Sequence, residues 1–303
     1  MQTARSDPEI AKAIQETFRT ILERGHGGGA RRITPENVYQ AGRRENLDLV
    51  LSLQDKLLVP GSGFEGLEHM DEALARYKEG KRLILLLEHK GNFDVPAFHF
   101  LLRREEARYR LLLDRLVYVA GRKLNEESEV VRRFTEVFSR LVIVPRREIP
   151  ASRPGETPEE EAARAEATTE AVRINRAAFR KMFNLIEEGA IIGLFPLGGR
   201  PKPNIPPVPV KETTTYLKHF DWMLLVGMEG NTLPVGAGRM EEEIPRRDRV
   251  VFRIAPPRPC NGYLEEAKAA YAAAAPADLD FEQFTANRIV EEISRLSLAA
   301  GLR

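Results

Sequence analysis

Cysteine is almost absent from the chain. Its 303 residues carry one, Cys260, in the loop-like stretch Pro256-Pro257-Arg258-Pro259-Cys260-Asn261. A single cysteine excludes an internal disulfide and agrees with a reducing compartment. No histidine lies near it in sequence, so a structural or surface cysteine is expected rather than a nucleophile. Long apolar runs are also missing. No stretch approaches the roughly 18 uncharged apolar residues of a membrane-spanning helix. Met1 to Arg24 lacks the apolar core of a signal peptide. Excess charge is missing as well. Lys and Arg number 46 against 45 Asp and Glu, a formal net charge of +1. Nucleic acid is therefore not an expected partner, and any anion site must come from local clustering of cations. The five histidines, His26, His69, His89, His99 and His219, are scattered, so no metal site is expected. Neither a Gly-x4-Gly-Lys-Ser/Thr loop nor a Gly-x-Gly-x-x-Gly fingerprint occurs, which counts against a general phosphate-binding α/β enzyme.

What is present reads as a folded protein, with 43% apolar and 30% charged residues. The first 62 residues read as helical. Ser6-Asp7-Pro8-Glu9 has the form of a capping box with Pro in the first turn, and that helix is expected to end at Gly25 to Gly29. Thr34-Pro35-Glu36 is expected to open a second helix, ended by Pro60-Gly61, and a third is expected from Leu67 to Tyr77. The texture then changes. Leu83 to Leu87 is a short continuous apolar run, the pattern of a strand buried on both faces. Similar runs cover 116–119, 141–144 and 190–195, with weaker ones at 223–226, 233–235 and 250–254. A long helix begins at the capping box Thr157-Pro158-Glu159-Glu160, with Val172, Phe179, Met182, Phe183 and Ile186 on its apolar side. These alternating runs predict an α/β fold. Its sheet is expected to be mixed and mostly parallel, flanked by helices over residues 63–303, behind a smaller helical region at 1–62.

Chemistry concentrates where these runs end. Glu88-His89-Lys90-Gly91-Asn92-Phe93-Asp94 follows the first strand, at the C-terminal edge where α/β proteins place ligands. A turn at Gly91-Asn92 brings the Asp94 carboxylate toward the His89 ring, either to orient a general base or as a structural hydrogen bond. Pro196-Leu197-Gly198-Gly199-Arg200-Pro201-Lys202-Pro203 follows another strand. Gly198 and Gly199 permit close backbone approach, and Arg200 and Lys202 suit a phosphate, unless both cations simply face solvent. Val144-Pro145-Arg146-Arg147 ends a third strand in adjacent cations, which serve an anion pocket or pair with the acidic stretch Glu156 to Glu161.

In order and spacing these blocks resemble the glycerolipid acyltransferases with a His-x4-Asp motif, and most closely the soluble, plastid-type glycerol-3-phosphate acyltransferases. The resemblance covers roughly residues 40 to 255. It rests on His89 to Asp94, Val117 to Arg122 with Leu124, Leu141 to Arg147, Pro196 to Pro203 and Thr232-Leu233-Pro234-Val235. Leu197 stands where membrane-bound relatives have Glu. Arg200-Pro201-Lys202 replaces the branch's Arg-x-Arg, which keeps the charge but loses one bidentate fork.

The resemblance implies acyl transfer from a thioester, on acyl carrier protein or coenzyme A, to a hydroxyl of glycerol 3-phosphate. This is the first step of phospholipid synthesis and takes no further cofactor. It implies His89 as base and Asp94 as its orienter. Arg146, Arg147, Arg200, Lys202 and Lys90 become candidate phosphate ligands, with Gly198 and Gly199 lending backbone N–H groups. A cytoplasmic or peripheral inner-face location is expected, with a basic patch for the carrier among Arg103, Arg104, Arg108, Arg110, Arg132 and Arg133. A lysophospholipid acceptor is the nearest alternative. A non-catalytic lipid- or carrier-binding protein is the alternative of another class, and the presence of both His89 and Asp94 argues against it.

Overall fold

The computed structural model describes residues 7–24, 31–126, 128–200, 208–236 and 243–298. Their strands are β1 (Tyr39–Gln40), β2 (Gly63–Glu65), β3 (Leu83–Leu87), β4 (Leu116–Gly121), β5 (Arg140–Ile143), β6 (Ile191–Leu194), β7 (Trp222–Glu229), β8 (Val251–Ile254) and β9 (Arg258–Pro259). The helices are α1 (Pro8–Glu23), α2 (Leu47–Leu57), α3 (Leu67–Lys78), α4 (Asp94–Arg104), α5 (Arg110–Arg115), α6 (Lys123–Glu126), α7 (Glu129–Thr135), α8 (Pro158–Glu187), α9 (Glu212–Leu217), α10 (Cys260–Ala274) and α11 (Phe281–Leu298). The class is α/β, with a mixed and mostly parallel sheet flanked by helices.

The chain forms two compact units. One comprises Met1–Thr17, Leu49–Leu116 and Ile191–Arg303, the other Phe18–Asp48 and Val117–Ala190. The expected boundary at residue 62 falls inside the first. There the strand order is β6-β3-β7-β8-β2, with β9 paired to β7. β3 lies parallel to both β6 and β7, and every residue of β3 is buried. That is why Leu83 to Leu87 is apolar without alternation. β8 turns antiparallel to β7 and carries β2 parallel on its far side. α11 packs along β7. In the second unit β4 and β5 are parallel and β1 is antiparallel to β5.

Several expectations are corrected. No helix starts at Thr34. The Asn37 side chain accepts the Thr34 N–H at 2.8 Å and donates to the Arg32 carbonyl at 3.0 Å, which closes a turn instead. Helix α2 begins only at Leu47. On α1 the cap is Asp7, whose carboxylate accepts the Glu9 N–H at 3.0 Å; Ser6 and Gly25 to Gly29 lie outside the described residues. The Thr157 capping box forms in full on α8. Its buried stripe, however, is Ala171, Ile174, Ala177, Ala178, Met182, Leu185 and Ile186, and Val172 is 49% exposed. Small alanines carry much of that contact, which large-residue periodicity overlooks. Residues 233–235 form no strand; Pro234 makes one isolated antiparallel bridge to Gly91. Cys260 is buried as the first residue of α10 rather than lying in a loop.

Candidate functional site

β3 ends at Leu87 beside the end of its parallel neighbour β6, while its other parallel neighbour, β7, runs on from Val226 to Glu229. Gly91 lets the loop turn tightly there. A Cβ on it would lie 2.5 Å from Asn231 Oδ1 and 2.6 Å from the Leu233 carbonyl oxygen, so no larger residue fits. Asn231 clamps the loop from outside. Its Nδ2 donates to the Lys90 carbonyl at 2.9 Å and its Oδ1 accepts the Leu233 N–H at 2.9 Å.

The turn delivers Asp94, the first residue of α4, back onto His89. Asp94 is only 3% exposed, and its Oδ2 lies 3.0 Å from His89 Nδ1. The same oxygen accepts the Lys90 N–H at 2.6 Å and the Gly91 N–H at 2.8 Å. Three donors and the N-terminal end of α4 stabilise a carboxylate there. An ionised carboxylate only accepts, so His89 Nδ1 is the donor in this pair and Nε2 is turned away from Asp94. No described residue bonds Nε2. The ring stacks on Phe195, centroids 4.4 Å apart, which fixes its plane from the end of β6. Half-buried, tautomer-fixed and orientation-fixed, His89 can take a proton from a group bound at this edge.

Glu88 and Lys90 face a different set of neighbours. Glu88 accepts the Met228 N–H at 2.8 Å and the Ser297 hydroxyl of α11. Burial pushes its carboxyl above the ordinary value, against the opposing pull of Lys90, Ser297 and the Met228 N–H. The Lys90 ammonium donates to the Met228 carbonyl and lies 3.6 Å from Glu88. The lysine expected to reach a phosphate is thus bonded to β7 and its own neighbour.

The loop after β6 is a tight turn. Gly198 has φ +60°, and its N–H donates to the Phe195 carbonyl at 2.7 Å. That N–H is committed to the turn, so of the two expected backbone donors only Gly199 is without a described partner. Arg200 is held by Glu243, with both carboxylate oxygens on Nη1 at 2.6 and 2.7 Å. Glu243 also accepts from Asn92 Nδ2 at 3.2 Å, which ties this loop to the His89 loop. Lys202 lies outside the described residues.

Arg146 and Arg147 belong to the second unit, in a single turn of 3-10 helix at the end of β5. Asn175 of α8 pins that strand end, accepting the Val144 N–H at 2.7 Å and donating to the Val144 carbonyl at 2.9 Å. Both arginines are exposed and pair with no described residue. The acidic stretch turns elsewhere: Glu156 accepts from Arg164 Nε at 2.9 Å. Of the basic residues expected to meet a carrier, Arg132 and Arg133 are buried against Glu129 and Glu136, and Arg108 is paired with Asp71 and Glu106. Arg103, Arg104 and Arg110 are exposed.

Glu243, Asn231 and Phe195 are the residues that sequence reasoning left out of the site. Only Phe195 had a signal, its place at the end of a buried run. The other two approach from stretches without a motif. Among the described residues no group of three or more His, Cys, Asp or Glu side chains could hold a metal ion, and no helix is long and apolar enough to cross a membrane. The sequence matches no protein-family profile and no curated protein.

Proposed function

We propose that the chain is an acyltransferase that moves a fatty acyl group from a thioester, on acyl carrier protein or coenzyme A, to a hydroxyl of glycerol 3-phosphate. The observation that carries this reading is the Asp94–His89 pair, 3.0 Å apart at the C-terminal edge of parallel strands, with Nε2 left as an acceptor. His89 Nε2 takes the proton as the acceptor oxygen attacks the thioester carbonyl carbon. The carbonyl becomes an oxyanion, for which this reading assigns the Gly199 N–H as donor. The C–S bond then breaks, and the imidazolium returns the proton to the departing thiolate. Asp94 stays ionised throughout and stabilises the imidazolium. No covalent acyl-enzyme is needed, because the acceptor itself is the nucleophile. Arg200 supplies the positive edge for the acceptor's phosphate.

Peripheral contact with a membrane belongs to the same reading. Its support is two large apolar side chains left exposed, Val208 and Ile244, on stretches that also carry the neighbours of the Gly198 turn and of Arg200.

The test is acyl transfer to glycerol 3-phosphate from both donors, with wild type beside His89→Ala. The mutant is expected to lose on the order of 10²–10⁴ in rate while its circular dichroism is unchanged. Equal rates would remove His89 as the base. Transfer to lysophosphatidate but not to glycerol 3-phosphate would move the assignment to the lysophospholipid acceptor.

A further inference from the structure

Glu243 lies in no motif and follows directly on residues outside the described set, yet its side chain is only 2% exposed. A buried carboxylate needs compensation. Here it comes from one nitrogen of Arg200 and from the Asn92 amide. The geometry is lopsided. A guanidinium offers five N–H groups on a rigid planar fork. Glu243 places both oxygens on Nη1 and leaves the Nε–Nη2 side, where no described residue bonds. That side is itself a bidentate edge, spaced for two oxygens of a phosphate or carboxylate. Asn92 joins the same carboxylate to the loop between His89 and Asp94.

We propose that Glu243 is a positioning residue. It holds Arg200 with its Nε–Nη2 edge presented to the anionic group of the acceptor, and through Asn92 it sets that edge in register with the His89 loop. The identity of the anion as a phosphate rests on the acyl-transfer reading. Two effects of Glu243 oppose each other. Its negative charge repels an incoming anion, while its grip stops a long side chain from sampling other rotamers. Arg200 has few rotamers left when Nη1 is fixed, so the grip outweighs the repulsion at contact distance.

The experiment is calorimetric binding of glycerol 3-phosphate without donor, for wild type, Glu243→Gln, Glu243→Ala, Arg200→Ala and the Glu243→Ala/Arg200→Ala double variant. Glu243→Gln keeps an oxygen for Nη1 and removes the charge, so it is expected to bind within about threefold of wild type. Glu243→Ala frees Arg200 and is expected to weaken binding about tenfold, the scale of one charge-assisted hydrogen bond. The double variant is expected to bind no worse than Arg200→Ala alone, because the effect of Glu243 passes through Arg200. Should Glu243→Ala fail to fold, Glu243→Asp, whose carboxylate is drawn back by one methylene, takes its place with the same expected weakening. Unchanged or tighter binding in Glu243→Ala, additive losses in the double variant, or no binding of glycerol 3-phosphate to wild type would each overturn the proposal. The expected order of affinities in a protein that transfers acyl from neither donor would sink the acyl-transfer reading and leave the positioning role standing.

Discussion

At the scale of single residues, one strand end holds two acid–base arrangements that behave oppositely. Asp94 is buried but meets three donors, so its charge is compensated where it sits. Asp94→Asn keeps the shape and replaces an acceptor with an amide that must direct its own N–H groups at other donors. Transfer is expected to fall on the order of 10²–10⁴-fold, read from initial rates beside an unchanged melting curve. Glu88 is buried with weaker compensation, and its carboxyl is raised above the ordinary 4.5. The folded protein thus binds that proton more tightly than the unfolded chain does. Glu88 contributes its full share of stability below 4.5 and loses it as pH rises through the raised folded value. Glu88→Gln has no such proton to lose. The difference in Tm, wild type minus variant, is expected to decline as pH goes from 4.5 upward. A difference that stays flat across that range would show that Glu88 is not raised.

At the scale of elements, the His89–Asp94 loop is legible in the sequence because strand, turn and helix start follow one another within a dozen residues. Leu83 to Leu87 announces a buried strand, Gly91-Asn92 a turn, and Asp94 a helix N-terminus, and the structure has each in place. The clamps on that loop were not legible. Asn231 and Glu243 come from distant chain, and a lone Asn or Glu carries no periodic signal. The Leu233 to Val235 run reads as a strand because it is one of the short apolar runs. It makes only one bridge because its neighbour Gly91 belongs to a turn, not to a ladder. The turn at Thr34 escaped for a similar reason: Thr-Pro-Glu starts helices, but Asn37 supplies a side chain that closes the turn first.

Two changes test these elements. Gly91→Ala drives a methyl group into the Leu233 carbonyl and Asn231, and about 1–3 kcal/mol of stability is expected to be lost by denaturant titration, together with activity. Thr157→Ala removes the α8 cap, whose hydroxyl accepts the Glu160 N–H at 3.2 Å. A loss of about 1 kcal/mol is expected, with transfer at saturating substrate unchanged.

At the scale of the whole molecule, neither unit is a continuous stretch of chain. The first returns after the second has been built from Val117–Ala190, and it also includes Val50 and Leu57 of α2, both fully buried. A fragment of residues 63–303 lacks that helix. It is expected to unfold without a cooperative transition, whereas the full chain gives one, and a sharp melt of the fragment would show that the first 62 residues are dispensable. Cys260 offers a probe of the intact protein: buried, with burial pushing its thiol up to about 12, it is expected to resist iodoacetamide at neutral pH until the fold opens. The interrupted order also has a consequence for synthesis. β3 pairs with β6 and β7, and both are encoded far downstream of it. At ribosomal rates of about 5–20 residues per second, the five apolar residues from Leu83 to Leu87 leave the exit tunnel several seconds before either partner strand exists. For that interval the nascent chain displays an unpaired apolar segment next to His89. The apolar β3 segment can therefore be covered on both edges only after Glu229 has been made, which puts its pairing late in synthesis.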